Sequence, residues 1–325
     1  MYQDLHIIDF HSHFPTQRPW FEAMTGGGDA GQAAVDRLGR RRAELVRQLS
    51  GQHARAYNQA WRLAWDFPTP EPDHPGDEAQ ADRWAAEVDR YGLRAVAFVT
   101  GGGNDHLATI VARHPDKFIG FAHHYPFADD AAQILKRAVV ESGLRGYKLL
   151  APMLDRPIAD PAAYPVWEMC AELDIPVLIH FGIQGSGGGI AWHENINPLK
   201  LHNVAKDFPD VTFVIPHFGC AWLRETLQLC WACRNVSVDT SGSNQWIKWV
   251  PGDLTIKDLF RKYMETVGPE RIIFGSDSSW FPRGFAIRYL QDQLRDARDI
   301  GLHQADLQLI FAGNAARLLK IALDE

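Results

Sequence analysis

The feature that most constrains this chain is an eightfold alternation of short apolar runs with helical ones. The strand-like runs are Ile7–Phe14, Ala95–Thr100, Phe118–Tyr125, Gly146–Leu150, Pro176–Phe181, Val211–His217, Asn235–Thr240 and Arg271–Ser276. Between and after them lie stretches with apolar residues at helical spacing: 77–91, 107–112, 131–142, 164–173, part of 198–208, 221–233 and 256–267, with further helices to the end. Most of the strand runs are nearly continuous in apolar residues, as parallel strands covered on both faces require. Eight such units predict an α/β fold, a closed (β/α)8 TIM barrel rather than an open doubly wound sheet. A chain of 325 residues with 46% hydrophobic content has core enough for one barrel domain over 1–325. Neither a GxGxxG fingerprint after the first strand nor a P-loop is present.

Residues 15–75 interrupt the alternation. A helical patch at Ala30–Ser50 carries Arg40-Arg41-Arg42, and the Pro-rich stretch Phe67–Pro72 stops helix. This predicts a helical insertion after the first strand, packed over one mouth of the barrel. The arginine run reads as a solvated helix face. Arg18 and Trp20, where the insertion leaves the first strand, are candidate pocket residues. A formal net charge of −7 argues against nucleic acid or a membrane surface as partner. The four cysteines have irregular spacing, and Cys230 and Cys233 fall in an apolar helical run, where cysteine is commonly a small buried residue. The start lacks a basic-then-apolar signal and no apolar run reaches transmembrane length, so the expected location is the cytoplasm.

The first strand also carries chemistry. In a strand, residues two apart share a face, so His11 and His13 project together, with Asp9 behind them. Two imidazoles so related make half of a metal site; the alternative is a pair of satisfied core histidines. Other polar residues fall at the C-terminal ends of strands, where barrels of this kind keep their chemistry: Lys148 in the fourth, His180 ending the fifth, His217 the sixth and Asp277 the eighth. Burying so many ionisable groups in one layer is costly unless a cation joins them, which points to a metal site. Asp9 either orients a ligand imidazole from behind or caps the strand end. Pocket candidates around this layer are His123, His124, Trp192, His193, Ser241, Asn244 and Ser279, and Gly185–Gly189 reads as a loop over the site. Trp280 and Arg283, just beyond Asp277, would make an aromatic wall and a carboxylate clamp. Ordinary loop packing is the alternative for each of these residues.

The motifs His11-x-His13, His180, His217 and Phe274-Gly275-Ser276-Asp277, in that order, resemble the amidohydrolase superfamily. The resemblance is to its family-2 branch, which includes aminocarboxymuconate-semialdehyde and resorcylate decarboxylases, hydratases and hydrolases. It implies His11, His13, His180 and Asp277 as ligands of one divalent ion, zinc before manganese or another. It further implies His217 as general acid/base, with Asp277 sharing the proton work. Lys148 has three readings: a carbamylated bridge between two metals; beside a single metal, the preferred reading, a partner of the substrate carboxylate; or a barrel-interior lysine paired with an acidic neighbour. The implied activity is hydrolysis of a small carboxylate-bearing molecule by a metal-activated water, with His217 relaying the proton. The alternative is non-oxidative decarboxylation of an aromatic or unsaturated acid. A non-catalytic metal-holding barrel is a third reading, which leaves His217 without a use. The resemblance also implies a homodimer and a small-molecule substrate.

Overall fold

A computed structural model describes residues 1–19, Met24, 39–182 and 194–323. All eight expected strands form: β1 (Ile8–His13), β2 (Ala95–Thr100), β3 (Phe118–Gly120), β4 (Tyr147–Leu150), β5 (Val177–His180), β6 (Phe213–Ile215), β7 (Val236–Asp239) and β8 (Ile272–Ile273). Helices of six residues or more among the described residues are α1 (Arg40–Ala64), α2 (Asp77–Tyr91), α3 (Asn104–Arg113), α4 (Ala131–Val140), α5 (Tyr164–Glu172), α6 (His202–Asp207), α7 (Leu223–Ala232), α8 (Ile256–Val267), α9 (Ile287–Asp299) and α10 (Asn314–Leu319). Neighbouring strands pair in parallel as β1-β2-β3 and as β4 through β8. Two parallel bridges join these arcs: Ala122 to Tyr147 between β3 and β4, and Ser12 to Ser278 between the end of β8 and β1. Further bonds from Phe10 N to the Phe274 carbonyl and from Asp277 N to the His11 carbonyl close the ring. The fold is the TIM barrel that the alternation predicts.

Strand pleating sorts side chains into two buried groups. Ile8, Phe10, Ala97, Val99, Leu178, Val214 and Ile273 fill the barrel interior. Their neighbours Ile7, Val96, Phe98, Leu149, Ile179, Phe213, Val238 and Ile272 belong to the layer between the strands and the helices. Ala315 and Leu319 of α10 join the interior group. Arg94 and Arg145, just ahead of β2 and β4, donate to the carbonyls of Ala322 and Leu319, so the C-terminal segment plugs the N-terminal mouth. That leaves the opposite mouth for the site.

Some boundaries differ from expectation. β3 ends at Gly120 rather than Tyr125, and β8 is two residues long, because the chain beyond each turns into the mouth. The helix expected at Ala30–Ser50 runs instead from Arg40 to Ala64; residues 30–38 lie outside those described. It packs on the mouth through Trp61 Nε1, which donates to the Tyr289 hydroxyl at 3.0 Å, and through Tyr57, whose hydroxyl accepts from Gln245 at 2.7 Å. All four cysteines are buried, and none is in a disulfide. No helix among the described residues is long and apolar enough to cross a membrane.

Candidate active site

A cleft of about 460 Å³ opens at the C-terminal mouth. Its floor carries His11, His13, Lys148, His180, His217 and Asp277. Ser279, Trp280 and Arg283 form one side, and Asn58, Trp61 and Arg62 of α1 lean over the opening. The six polar residues that the sequence places at strand ends therefore meet in one place.

The bottom of the cleft is built from bent backbone. A register irregularity in β1 between Asp9 and Ser12 brings the His11 and His13 rings to 5.2 Å between centroids. After β6, His217, Phe218, Cys220 and Ala221 all have positive φ, a conformation that side chains with a Cβ rarely adopt. Asp277 is also left-handed, at φ 59°. Such strain concentrates where a scaffold must aim a side chain against local preference. Here it turns His217 and Asp277 inward from strands that have already ended.

His13 Nε2 lies 3.3 Å from Asp277 Oδ1, and its Nδ1 contacts the Thr100 hydroxyl at 2.7 Å. His11 Nδ1 lies 2.8 Å from Asp239 Oδ2, while its Nε2 is buried with no hydrogen-bond partner among the described residues. Leaving a buried nitrogen unpaired costs about 1–3 kcal/mol, so His11 Nε2 calls for an unseen partner. Donor atoms of His11, His13 and Asp277 all lie within 4.8 Å of one another, and this mixed nitrogen and oxygen set suits a divalent ion. These residues fit a metal. His180 departs from expectation: it stands outside that triad, with Nδ1 3.2 Å from His217 Nε2 and its ring 5.9 Å from that of Trp246. His11, His217 and Asp239 satisfy the same spacing, but the Ser241 hydroxyl sits among them, 2.9 Å from His11 Nδ1 and 3.0 Å from His217 Nδ1. That second group is a hydrogen-bond cluster.

Burial drives the electrostatics. It pushes His11 down to about 3, with Lys148 adding to the effect, and lowers His217 as well, so both rings are neutral near pH 7. Lys148 is pushed down to about 8 by burial, against the pull of Asp239 and Asp277, and its ammonium makes no ion pair or hydrogen bond among the described residues. Burial alone would raise Asp277 and Asp239. The hydrogen bond from His13 and the nearby imidazoles more than offset it for Asp277, and His11 does so for Asp239; both carboxyls lie well below the usual range.

The remaining expectations divide. Asp9 does not touch an imidazole ring: it accepts from the Ser12 and Ser276 hydroxyls and from the backbone N–H groups of His11 and Ser276, tying β1 to the end of β8. Burial pushes it up to about 6. His123 and His124 are corrections, because they bond the Gly103 N–H ahead of α3 and the Ala131 carbonyl at the start of α4 and do not line the cleft. Arg18 points to solvent beside Asp77, and Asn244 pairs with Gln293. Trp20, Gly185–Gly189, Trp192 and His193 lie outside the described residues. Arg283 is 9% exposed; its Nη2 donates to the Asp277 carbonyl, and its guanidinium packs on the rings of Trp280, Phe67 and Trp61. Its Nε is buried with no partner among the described residues. The expectation passed over Asp239, although an acid ending an apolar strand is the same signal that picks out Asp277.

The family profile described as Amidohydrolase matches residues 8–321. The chain belongs to the amidohydrolase family. It is 26% identical over 282 residues to the 2-keto-4-carboxy-3-hexenedioate hydratase of Sphingobium sp., covering 75% of this chain and 74% of that one. The gamma-resorcylate decarboxylase of Polaromonas sp. is 24% identical over 256 residues, 67% of this chain and 75% of the relative. In fold, the chain is similar to the 5-carboxyvanillate decarboxylase of Novosphingobium aromaticivorans, solved with manganese and 4-hydroxy-3-methoxy-5-nitrobenzoic acid. The TM-score is 0.61 at 14% identity, over 98% of this chain and 97% of that one. Membership makes this amidohydrolase barrel an enzyme, and its relatives include carboxy-lyases.

Proposed function

We propose that the protein is a metal-dependent, non-oxidative decarboxylase of an aromatic or unsaturated carboxylic acid. One observation carries the reading: the His11–His13–Asp277 donor set, with His11 buried and the other two half-buried, faces the same cleft as His217 and the cations Lys148 and Arg283. The decarboxylase relatives support it over hydrolysis, which ranks second. A bound divalent ion, zinc or manganese, would supply positive charge that orients the carboxylate and withdraws electron density from the adjoining carbon. His11, His13 and Asp277 would hold it, with His180 beside them.

Lys148, buried and free of an ion pair among the described residues, binds the acid's anionic group at the floor, a role that needs one ion per chain. Arg283 holds a second polar group, with Nε as the unused donor and Trp280 as the wall for a planar substrate. His217, neutral at rest, takes up a proton from solvent on Nε2 ahead of the step. As the carbon–carbon bond breaks, carbon dioxide leaves, and the carbon that retains the electron pair takes that proton. Helix α1, leaning over the cleft through Asn58, Trp61 and Arg62, limits the water that can compete for the site.

The test is a screen of metal-loaded protein against ortho-hydroxybenzoic acids and unsaturated di- and tricarboxylates. Carbon dioxide release, ester or lactone cleavage and water addition are followed side by side. Carbon dioxide release that is lost in His217→Ala supports the reading; cleavage or hydration without it overturns the reading.

A further inference from the structure

Asp239 and Ser241, at the end of β7, touch two imidazoles with separate jobs. Asp239 is fully buried, and its two oxygens are used differently. Oδ1 accepts from three donors: the Ser241 N–H at 2.9 Å, the His217 N–H at 3.2 Å and the Ser241 hydroxyl. Oδ2 accepts from His11 Nδ1 at 2.8 Å. His217 Nδ1 lies 2.6 Å from the Ser241 carbonyl oxygen. A carbonyl oxygen only accepts, so His217 must carry its resting proton on Nδ1. An ionised carboxylate likewise only accepts, which puts the His11 proton on Nδ1 too. The Ser241 hydroxyl spends its one hydrogen on Asp239 and faces both Nδ1 atoms as an acceptor.

We infer that Asp239 and Ser241 form one positioning unit that locks His11 and His217 together in the Nδ1–H tautomer, so that both turn a bare Nε2 to the cleft. There His217 Nε2, which lies 3.2 Å from His180 Nδ1 and can only accept from it at rest, takes up the proton that it later delivers. The unit touches neither substrate nor ion and acts through the two rings. The tautomer assignment stands on these hydrogen bonds alone; its consequence for metal binding rests on the reading of His11 as a ligand. A ligand imidazole held from behind by a carboxylate is fixed in orientation and made more basic.

Asp239→Asn makes the prediction sharp. Three donors converge where Oδ1 sits, so the amide oxygen must take that place. The amide NH2 is then left facing His11 Nδ1, which must become an acceptor, and the proton moves to Nε2, the nitrogen that would bind metal. In metal-free protein labelled with 15N-histidine, His11 and His217 are expected to be protonated on Nδ1, their signals assigned by loss in His11→Gln and His217→Gln. In Asp239→Asn the His11 proton is expected on Nε2, and affinity for Zn2+, measured by competition with a chromophoric chelator, is expected to fall about 10–100-fold. Ser241→Ala is expected to stay within about 3-fold of the parent, because it keeps the carboxylate that orients the His11 ring. Protonation of either ring on Nε2 alone in the parent overturns the inference, and that spectrum is read even if Asp239→Asn fails to fold. Unchanged affinity in a folded Asp239→Asn overturns it as well. A parent protein that binds no divalent ion overturns the proposed function instead, and the nitrogen spectra still decide the tautomers.

Discussion

At the level of single residues, His217 and Arg283 separate proton transfer from binding. Replacing His217 by alanine removes the proton carrier and leaves the His11–His13–Asp277 donors in place. Turnover should fall about 10²–10⁴-fold with metal content per chain unchanged, a pairing read by elemental analysis beside the kinetics. Arg283→Met keeps the packing against Trp280 and Phe67 but removes the charge. A hydrogen bond to a charged group contributes about 1.5–3 kcal/mol, so kcat/KM should drop roughly 10–100-fold, mostly through KM. A loss confined to kcat would place Arg283 on the reacting carbon instead. The strand-end residues were legible because each is an ionisable group in or just after an apolar run. Asp239 closes such a run too, but within Val236-Ser237-Val238-Asp239-Thr240-Ser241 it sits among other polar residues and stands out less. Local pattern also says nothing of which way a ring faces, which is why His180 beside His217 and His123 in a neighbouring loop emerged only in three dimensions.

Among the elements, the turn after β6 does the most to aim a side chain. Four non-glycine residues there share positive φ, and each costs about 1–2 kcal/mol relative to right-handed backbone. Ala221, at φ 72°, lies furthest from His217 and is only half-buried. Ala221→Gly should relieve strain there, less the extra entropy glycine brings to the unfolded chain. The balance is a gain of about 0.5–1 kcal/mol, seen as a rise of roughly 1 °C in the melting temperature. A lower melting temperature would mean that the Ala221 methyl is packed rather than strained. Positive φ leaves no trace in hydrophobic periodicity, so this turn could not be read ahead of the structure. The strands could, since burial on both faces writes itself into composition. Helix α1 was legible only in part. Its exposed Leu45 and Leu49 blur the apolar stripe, and its contacts through Tyr57 and Trp61 are with Gln245 and Tyr289, far along the chain.

For the whole molecule, the barrel gathers charges of both signs at one mouth. Lys148 and Arg283 supply two buried positive charges in the cleft against the carboxylates of Asp239 and Asp277, while His11 and His217 are held neutral by burial. Barrel closure fixes this arrangement, because β1, β4, β7 and β8 each contribute a member and cannot move apart without breaking the ring. A divalent ion bound only by the folded chain must therefore stabilise the whole barrel and not the cleft alone. At a free concentration about one hundred times its dissociation constant it contributes about 2.7 kcal/mol, or roughly 4 °C in melting temperature for a domain this size. Chelation should lower the melting temperature by that amount and abolish turnover together, and added Mn2+ or Zn2+ should restore both. His13→Gln, which removes a donor without disturbing the Asp239–His11 bond, should lose most of the metal-dependent shift while its metal-free form melts near the metal-free parent. If chelator and added metal change neither quantity, the orphaned His11 Nε2 has some other partner and the barrel works without an ion.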